Sequence, residues 1–243
     1  MSPSPDIQNA VVLRRIGMAS LIELRAPHGL GEHATAATAH APGDSLCIYQ
    51  QLGAGSRFSG NPEFCIHRGM FATVYSELPY DTAPLTADGF HLRILKVPAA
   101  ELRLAQADRI MARLGDLVPK PFSEHRALVP LLASCFRDLQ ETNEAREPER
   151  AQSLMQALAQ LALIERGVIR LGSRAALHAV RVGRLSLARR LIARNISRAT
   201  LSPAYVAGLL GISVRHLHIL FEASDSSFAR TRTAERIAES RRH

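Results

Sequence analysis

Apolar and polar positions follow two different rhythms along the chain. From about residue 10 to residue 97 the apolar runs are short and are cut by Gly, Pro, Asn and Asp. "SLCIYQQL" (45–52) is rich in strand-forming residues, and "EFCIHRG" and "MFATVYSELPY" follow it, with "GNP" and "RG" as turn signals. "GAGS" (53–56) reads as a hairpin turn. In "GFHLRILKVP" (89–98) the pattern alternates at first as in a strand, with Phe90, Leu92 and Ile94 on one side and His91 and Arg93 on the other. Several short strands between turns predict a sandwich or barrel.

After Pro98 the period lengthens to that of a helix. "AAELRLAQADRIMARLG" places Leu102, Ala105, Ile110 and Leu114 near one face, with Gly115 as a stop. Residues 125–141 and 148–167 are longer helical candidates, separated by the polar stretch 142–150. The second is apolar over more than half its circumference (Leu154, Met155, Leu158, Leu161, Ala162, Ile164), which fits either a subunit partner or dense burial within one chain. "RLSLARRLIARNI" (184–196) puts Leu185, Ala188, Leu191, Ile192 and Ile196 on one stripe, with Arg184, Arg189, Arg190 and Arg194 largely off it.

Residues 202–222, "SPAYVAGLLGISVRHLHILFE", predict two short helices meeting at a glycine. Ser202 suits an N-cap, because its hydroxyl accepts from an otherwise unpaired amide of the first turn. Pro203 follows at the first helical position, where its missing N–H is harmless. Gly211 suits the left-handed stop, Ile212 plugs the turn, and Ser213 caps the second helix. Close crossing of the two helices needs a small residue, and Ala207 stands four before Gly211. Val214, Leu217, Leu220 and Phe221 fall on the inward side of the second helix, which leaves Ser213, Arg215, His216, His218 and Ile219 outward or flanking. A helix presented in this way fits the DNA major groove.

Charge strengthens that expectation. The 243 residues carry a formal net charge of +8. Residues 171–243 hold 13 Arg and four acids, net +9, whereas residues 1–170 hold 17 Lys plus Arg and 18 acids, net −1. A basic end on a neutral body points to a polyanion partner. At 47% hydrophobic and 21% charged, the chain has enough apolar residues for a sizeable core. Cys47, Cys65 and Cys135 show no metal spacing and fit free thiols in a reducing cytoplasm. The N-terminus lacks a secretory pattern, and no run of about 18 apolar residues suggests a membrane span.

Catalytic chemistry finds little support. A metal enzyme built on such a barrel needs two or three His and a carboxylate on one ion. His28, His33 and His40 are 5 and 7 residues apart in an Ala-rich run, while His67 and His91 stand singly in strand-like segments. His216 and His218 would point about 200° apart on a helix, which suits groove contacts better than a shared metal. There is no Gly-x-Ser-x-Gly, and "GAGS" lacks the Lys of a phosphate loop. No enzyme activity, metal or cofactor is expected.

The residues 201–228, "LSPAYVAGLLGISVRHLHILFEASDSSF", resemble the first helix-turn-helix of AraC-type transcription regulators: a Leu-Ser start, a small residue, a Gly-x-Ser turn, an "LxxLF" helix and a polar loop closing on Phe. The Arg-rich stretch 184–196 resembles the preceding helix. Residues 43–102, from "GDSLCIYQQLGAGSRFSG" to "ADGFHLRILKVPAAEL", resemble the cupin-like sensing domain of one branch of that family. The resemblance implies an α+β chain. A cupin-like barrel or sandwich, helices and an all-α helix-turn-helix unit would follow one another. The sensing and dimerisation domain would cover 10–170 (β-rich 10–97, helical 98–170) and the DNA-binding domain 178–243.

The same resemblance implies a homodimeric, cytoplasmic regulator of double-stranded DNA with a small-molecule effector sensed in the barrel. Ser213, Arg215, His216, His218 and Ile219 would lie toward DNA, and Arg184, Arg189, Arg190 and Arg194 are candidates for its phosphates. Three positions depart from the family pattern. Residues 228–243 would begin the connector to a second helix-turn-helix, which the sequence lacks. Ile219 stands where the family commonly has Arg, so its contact would be apolar, as with a thymine methyl. Arg68-Gly69-Met70 replaces a Pro-Gly-Asp turn. A single head makes fewer phosphate contacts, so a monomer is expected to bind weakly and a dimer to restore affinity. The alternative is an interaction protein that dimerises with longer relatives without reading DNA itself.

Overall fold

The computed structural model describes residues 10–26, 45–59, 63–75, 81–102, 120–123, 125–222, 224 and 226–241. The protein is α+β, with two antiparallel sheets followed by helices. Strands β1 (Ala10–Ile16), β2 (Ala19–Ala26), β3 (Ser45–Gln51), β6 (Phe71–Tyr75), β8 (Phe90–Pro98) and β9 (Lys120–Pro121) form a six-stranded sheet in the order β1-β2-β8-β3-β6-β9. Strands β4 (Gly55–Phe58), β5 (Phe64–His67) and β7 (Thr82–Pro84) form a smaller sheet in the order β5-β4-β7.

Alternation decides which side chain meets which layer. Phe90, Leu92 and Ile94 of β8 join Tyr49, Phe58, Ile66 and Val74 in the core associated with both sheets. Aromatic rings fill that space: Tyr49 meets Phe58 edge-on at 5.4 Å, and Phe58 stacks on Phe64 at 5.0 Å. Leu95 and Val97 turn the other way, with Leu46, Ile48 and Phe71, into a core shared with the helices. Strand β3 is central and covered on both faces, so all seven of its residues are buried. That double cover explains the apolar run Leu46–Tyr49 within it.

The "GAGS" stretch does not make the expected hairpin. Gly53 and Ala54 carry the chain from the large sheet to the small one, and Gly55 and Ser56 already belong to β4. The cause is competition for backbone partners. Gln51 N–H donates to Met70 at 3.0 Å and Leu52 N–H to His91 at 2.9 Å, so the end of β3 is tied to other segments.

The helical half begins with a 3-10 turn at Ala99–Glu101. Ala105, Ile110, Leu114 and Gly115 of the expected helix lie outside the described residues. A second 3-10 turn, Arg126–Leu128, leads into α1 (Val129–Glu141), and α2 follows (Pro148–Glu165). Every residue from Leu154 to Glu165 is buried, against α1, α3 and the large sheet. Dense burial within one chain, rather than a subunit partner, therefore accounts for the apolar circumference of α2. Its one buried acid, Glu165, accepts from the Ser123 and His125 amides at 2.6 and 2.8 Å.

Helix α3 (Arg174–Arg194) starts at Ser173, whose hydroxyl accepts from the Ala176 amide, and runs unbroken for 21 residues. Residue 178, the expected domain boundary, lies inside it. Ala176 and Ala179 pack in the core shared by sheet and helices, while Ala188 and Ile192 pack in a separate C-terminal core. One helix thus belongs to both units. Its crossing with α1 is tight at Gly183, where a Cβ would stand 2.8 Å from Leu131 Cβ.

Candidate nucleic-acid interface

The C-terminal core holds Ile196, Leu201, Val206, Ala207, Leu217, Phe221 and Phe228 against α3. Around it lie α4 (Pro203–Leu210), α5 (Val214–Glu222) and α6 (Phe228–Ser240). The Ser202 hydroxyl accepts from the Tyr205 amide at 3.2 Å, and Pro203 opens α4 as expected. Gly211 adopts the left-handed conformation, φ 64° and ψ 33°, that a Cβ would strain. The Ile212 amide then returns to the Ala207 carbonyl at 3.0 Å, closing the turn over the small residue. Helix α5 leaves at 96° to α4, with the Ser213 hydroxyl accepting from the His216 amide at 3.1 Å.

Two further contacts brace this unit. Arg198 donates to the Tyr205 hydroxyl at 2.8 Å and its guanidinium lies over the same ring. Phe221 meets Phe228 edge-on at 6.2 Å, so the loop after α5 closes on an aromatic pair.

Leu217, Leu220 and Phe221 are buried, and Ser213, Arg215, His216, His218 and Ile219 are exposed on α5 or at its cap. Ile219 is 45% exposed although it is a large apolar residue. Val214 corrects one expectation. It is 39% exposed rather than inward, because it opens α5, a full turn before Leu217, and the short helix α4 does not cover it. Leu209 is likewise bare at 51%.

The arginines of α3 divide into two groups. Arg194 is exposed and Arg184 half-buried. Arg189 and Arg190, expected as phosphate contacts, are also half-buried but are engaged within the protein. Arg190 donates to the Ala133 carbonyl of α1 at 3.0 Å, and Arg189 reaches the Ser224 hydroxyl at 3.4 Å. Burial draws both guanidinium pKa values down from the ordinary value, with neighbouring arginines adding to the effect. The same burial raises the pKa of Asp138, which faces Arg150 and Arg189. Helix α6, read from sequence only as a connector, adds exposed Arg230 and Arg236, and exposed Arg241 follows at its C-cap.

The other chemical candidates are dispersed. His91 Nε2 lies 3.1 Å from Glu23 Oε1 in a cluster with Arg93, and His67 is exposed on β5. His28, His33 and His40 lie outside the described residues. Among the described residues no three His, Cys, Asp or Glu side chains converge as a metal site. Cys47 and Cys135 are buried and Cys65 is half-buried, all as free thiols, and burial pushes the Cys47 thiol up to about 12. No single helix among the described residues is long and apolar enough to cross a membrane.

No family model matches the chain, and no curated protein matches it. Among solved structures it is similar to the AraC-like transcriptional activator CuxR, at 18% identity and a TM-score of 0.47, covering 95% of this chain and 79% of that one. It is also similar to unsaturated fatty acid bound wild-type ToxT from Vibrio cholerae strain SCE256, at 10% identity and a TM-score of 0.31, covering 82% and 72%. ToxT from Vibrio cholerae O395 gives 9% identity and a TM-score of 0.29, covering 90% and 93%. At such scores the functional reading rests on the residues themselves.

Proposed function

We propose that this chain is a sequence-specific DNA-binding transcription regulator of the AraC type, with α5 as its groove-reading helix. One observation carries the reading. Arg215, His216, His218 and Ile219 stand exposed on a helix whose Leu217, Leu220 and Phe221 anchor it, 96° from α4, in a segment of net charge +9. Arg215 and the two histidines offer donors to base edges or phosphates, and Ile219 offers an apolar contact to a thymine methyl. Arg184 and Arg194 on α3 are the remaining phosphate candidates there, and Ser213 stands at the tip of the reading helix.

The reading includes a cytoplasmic homodimer that brings two heads to one operator. It also has two units: the sheets with α1 and α2 (10–170), cupin-like and effector-sensing, and the helix-turn-helix (178–243). In this reading the dimer contact lies on a surface other than the buried α2.

Selection of bound duplexes from a random-sequence pool by the purified chain tests the assignment. The expected result is enrichment of a defined sequence, lost in the double variant Arg215→Ala, His218→Ala. Recovery of no preferred sequence, or the same sequence with that variant, would overturn it.

A further inference from the structure

The two edges of the large sheet are built differently. At one end β9 is two residues long, Lys120–Pro121, a short strand with a charge and a proline, the devices that keep a sheet edge from pairing further. At the other end β1 is seven residues long and pairs, among the described residues, with β2 alone. Its Val11, Val12 and Leu13 are 66%, 63% and 56% exposed. Three consecutive bare apolar residues lie on both faces of a strand, so neither layer of the fold covers them. The strand is nevertheless firmly held from behind. Arg14 donates to the Gln140 carbonyl at 2.7 Å and to the Leu139 carbonyl, and the Gly17 amide donates to Glu144 at 2.9 Å.

The rows of side chains across the sheet show what fits this edge. Leu13 lies opposite Ile22, and Ile22 opposite Ile94; Val11 lies opposite Leu24, and Leu24 opposite Leu92. Leu92 and Ile94 are buried, Ile22 and Leu24 partly so, and Val11 and Leu13 are exposed. The apolar face therefore continues one strand beyond its cover. The sequence of β1, AVVLRRI, also suits its own antiparallel copy. A two-fold axis at Val12 sets Val12 against the partner's Val12, Val11 against the partner's Leu13 and Ala10 against the partner's Arg14. Both apolar rows then run unbroken from one sheet into the next, and the arginines of the two copies stand at opposite ends of the ribbon. Parallel pairing would set them side by side, which like charges resist.

We infer that β1 is the dimer interface of this protein, formed by antiparallel pairing with β1 of a second copy about a two-fold axis at Val12. Backbone groups at the edge supply hydrogen bonds, and the Val and Leu side chains supply apolar contact. One patch serves both copies, as a closed two-fold dimer requires. Strand β1 thereby provides the dimer contact that the regulator reading needs. Use of the dimer on DNA rests on that reading, whereas the pairing rests on the edge alone.

Sedimentation velocity of the full chain, without DNA, separates the two. The expected result is a dimer at about 20 μM. Val12→Lys, at an exposed position, sets two like charges on the axis and should weaken the dimer about 100-fold without lowering the thermal midpoint. In a Cys65→Ser background, Val12→Cys should give a disulfide-linked dimer under mild oxidation, and Asp88→Cys, at an exposed position before β8, should not. If Val12→Lys unfolds, the two cysteine variants carry the test. A chain that stays monomeric at about 100 μM, a dimer that Val12→Lys leaves intact, or no cross-link from Val12→Cys would overturn the interface. The first of these outcomes would leave the edge to a strand of another protein. A dimer through β1 that binds no DNA would sink the regulator reading alone.

Discussion

Helices α2 and α5 are built from similar residues and come to opposite ends. Both carry Leu and Ile, around most of the circumference in α2 and mainly on the inward side of α5. In α2 the neighbours are α1, α3 and the large sheet, and Ile164 is 1% exposed. In α5 the support comes from α3 and α4, with the Phe221–Phe228 pair behind, and Ile219 is 45% exposed. The comparison teaches that apolar content reports a demand for cover without saying what supplies it. In α2 the fold supplies the cover. In α5 a row of exposed polar and apolar side chains stands on a well-anchored helix, the arrangement expected of a surface that meets a partner.

That contrast breaks most visibly at Leu158, fully buried at 0% exposure. Leu158→Ala should cost about 2–5 kcal/mol in chemical denaturation, while Ile219→Ala should stay within about 0.5 kcal/mol of the parent and lower DNA affinity. Equal losses of stability would erase the distinction between the two helices. Gly183→Ala comes next. The added methyl meets Leu131 Cβ at 2.8 Å, and the overpacking cost of about 1–3 kcal/mol exceeds the helix preference of Ala, up to about 1 kcal/mol. A lowered midpoint of thermal unfolding is expected; a raised one would mean that α1 and α3 part easily.

The smallest effect concerns the sheet. Burial raises the Glu23 pKa, but hydrogen bonds from His91 and Arg93 outweigh it and hold the carboxyl below its ordinary value. A depressed carboxylate stabilises the folded state above the unfolded pKa, and that contribution fades as pH falls through the folded value. The parent should therefore lose up to about 1 kcal/mol more than Glu23→Gln between about pH 5 and pH 3. Parallel acid limbs would remove Glu23 from the account.

Local signals made part of this structure legible. The alternation at 90–94 correctly sorted Phe90, Leu92 and Ile94 from His91 and Arg93, because a strand's period leaves two faces only. Ser202, Gly211 and Ser213 declared the turn through chemistry confined to a few residues. What stayed hidden depends on distant neighbours. Arg189 and Arg190 flank the apolar stripe of α3 and looked solvent-facing, yet α1 and the loop after α5 claim them. Val214 had the right spacing for the core but no helix above it. The exit of the chain from β3 at Gly53 turned on a backbone bond to His91, about 40 residues on, which no local pattern encodes.

The central claim is that α5 touches duplex DNA through its exposed face. Fluorescence anisotropy of the full chain on a labelled duplex, titrated with salt, tests it most directly. The account predicts affinity that falls steeply as salt rises and drops about 10- to 100-fold in Arg215→Ala at constant thermal stability. Binding that Arg215→Ala leaves intact, or no binding of duplex even at low salt, would contradict it.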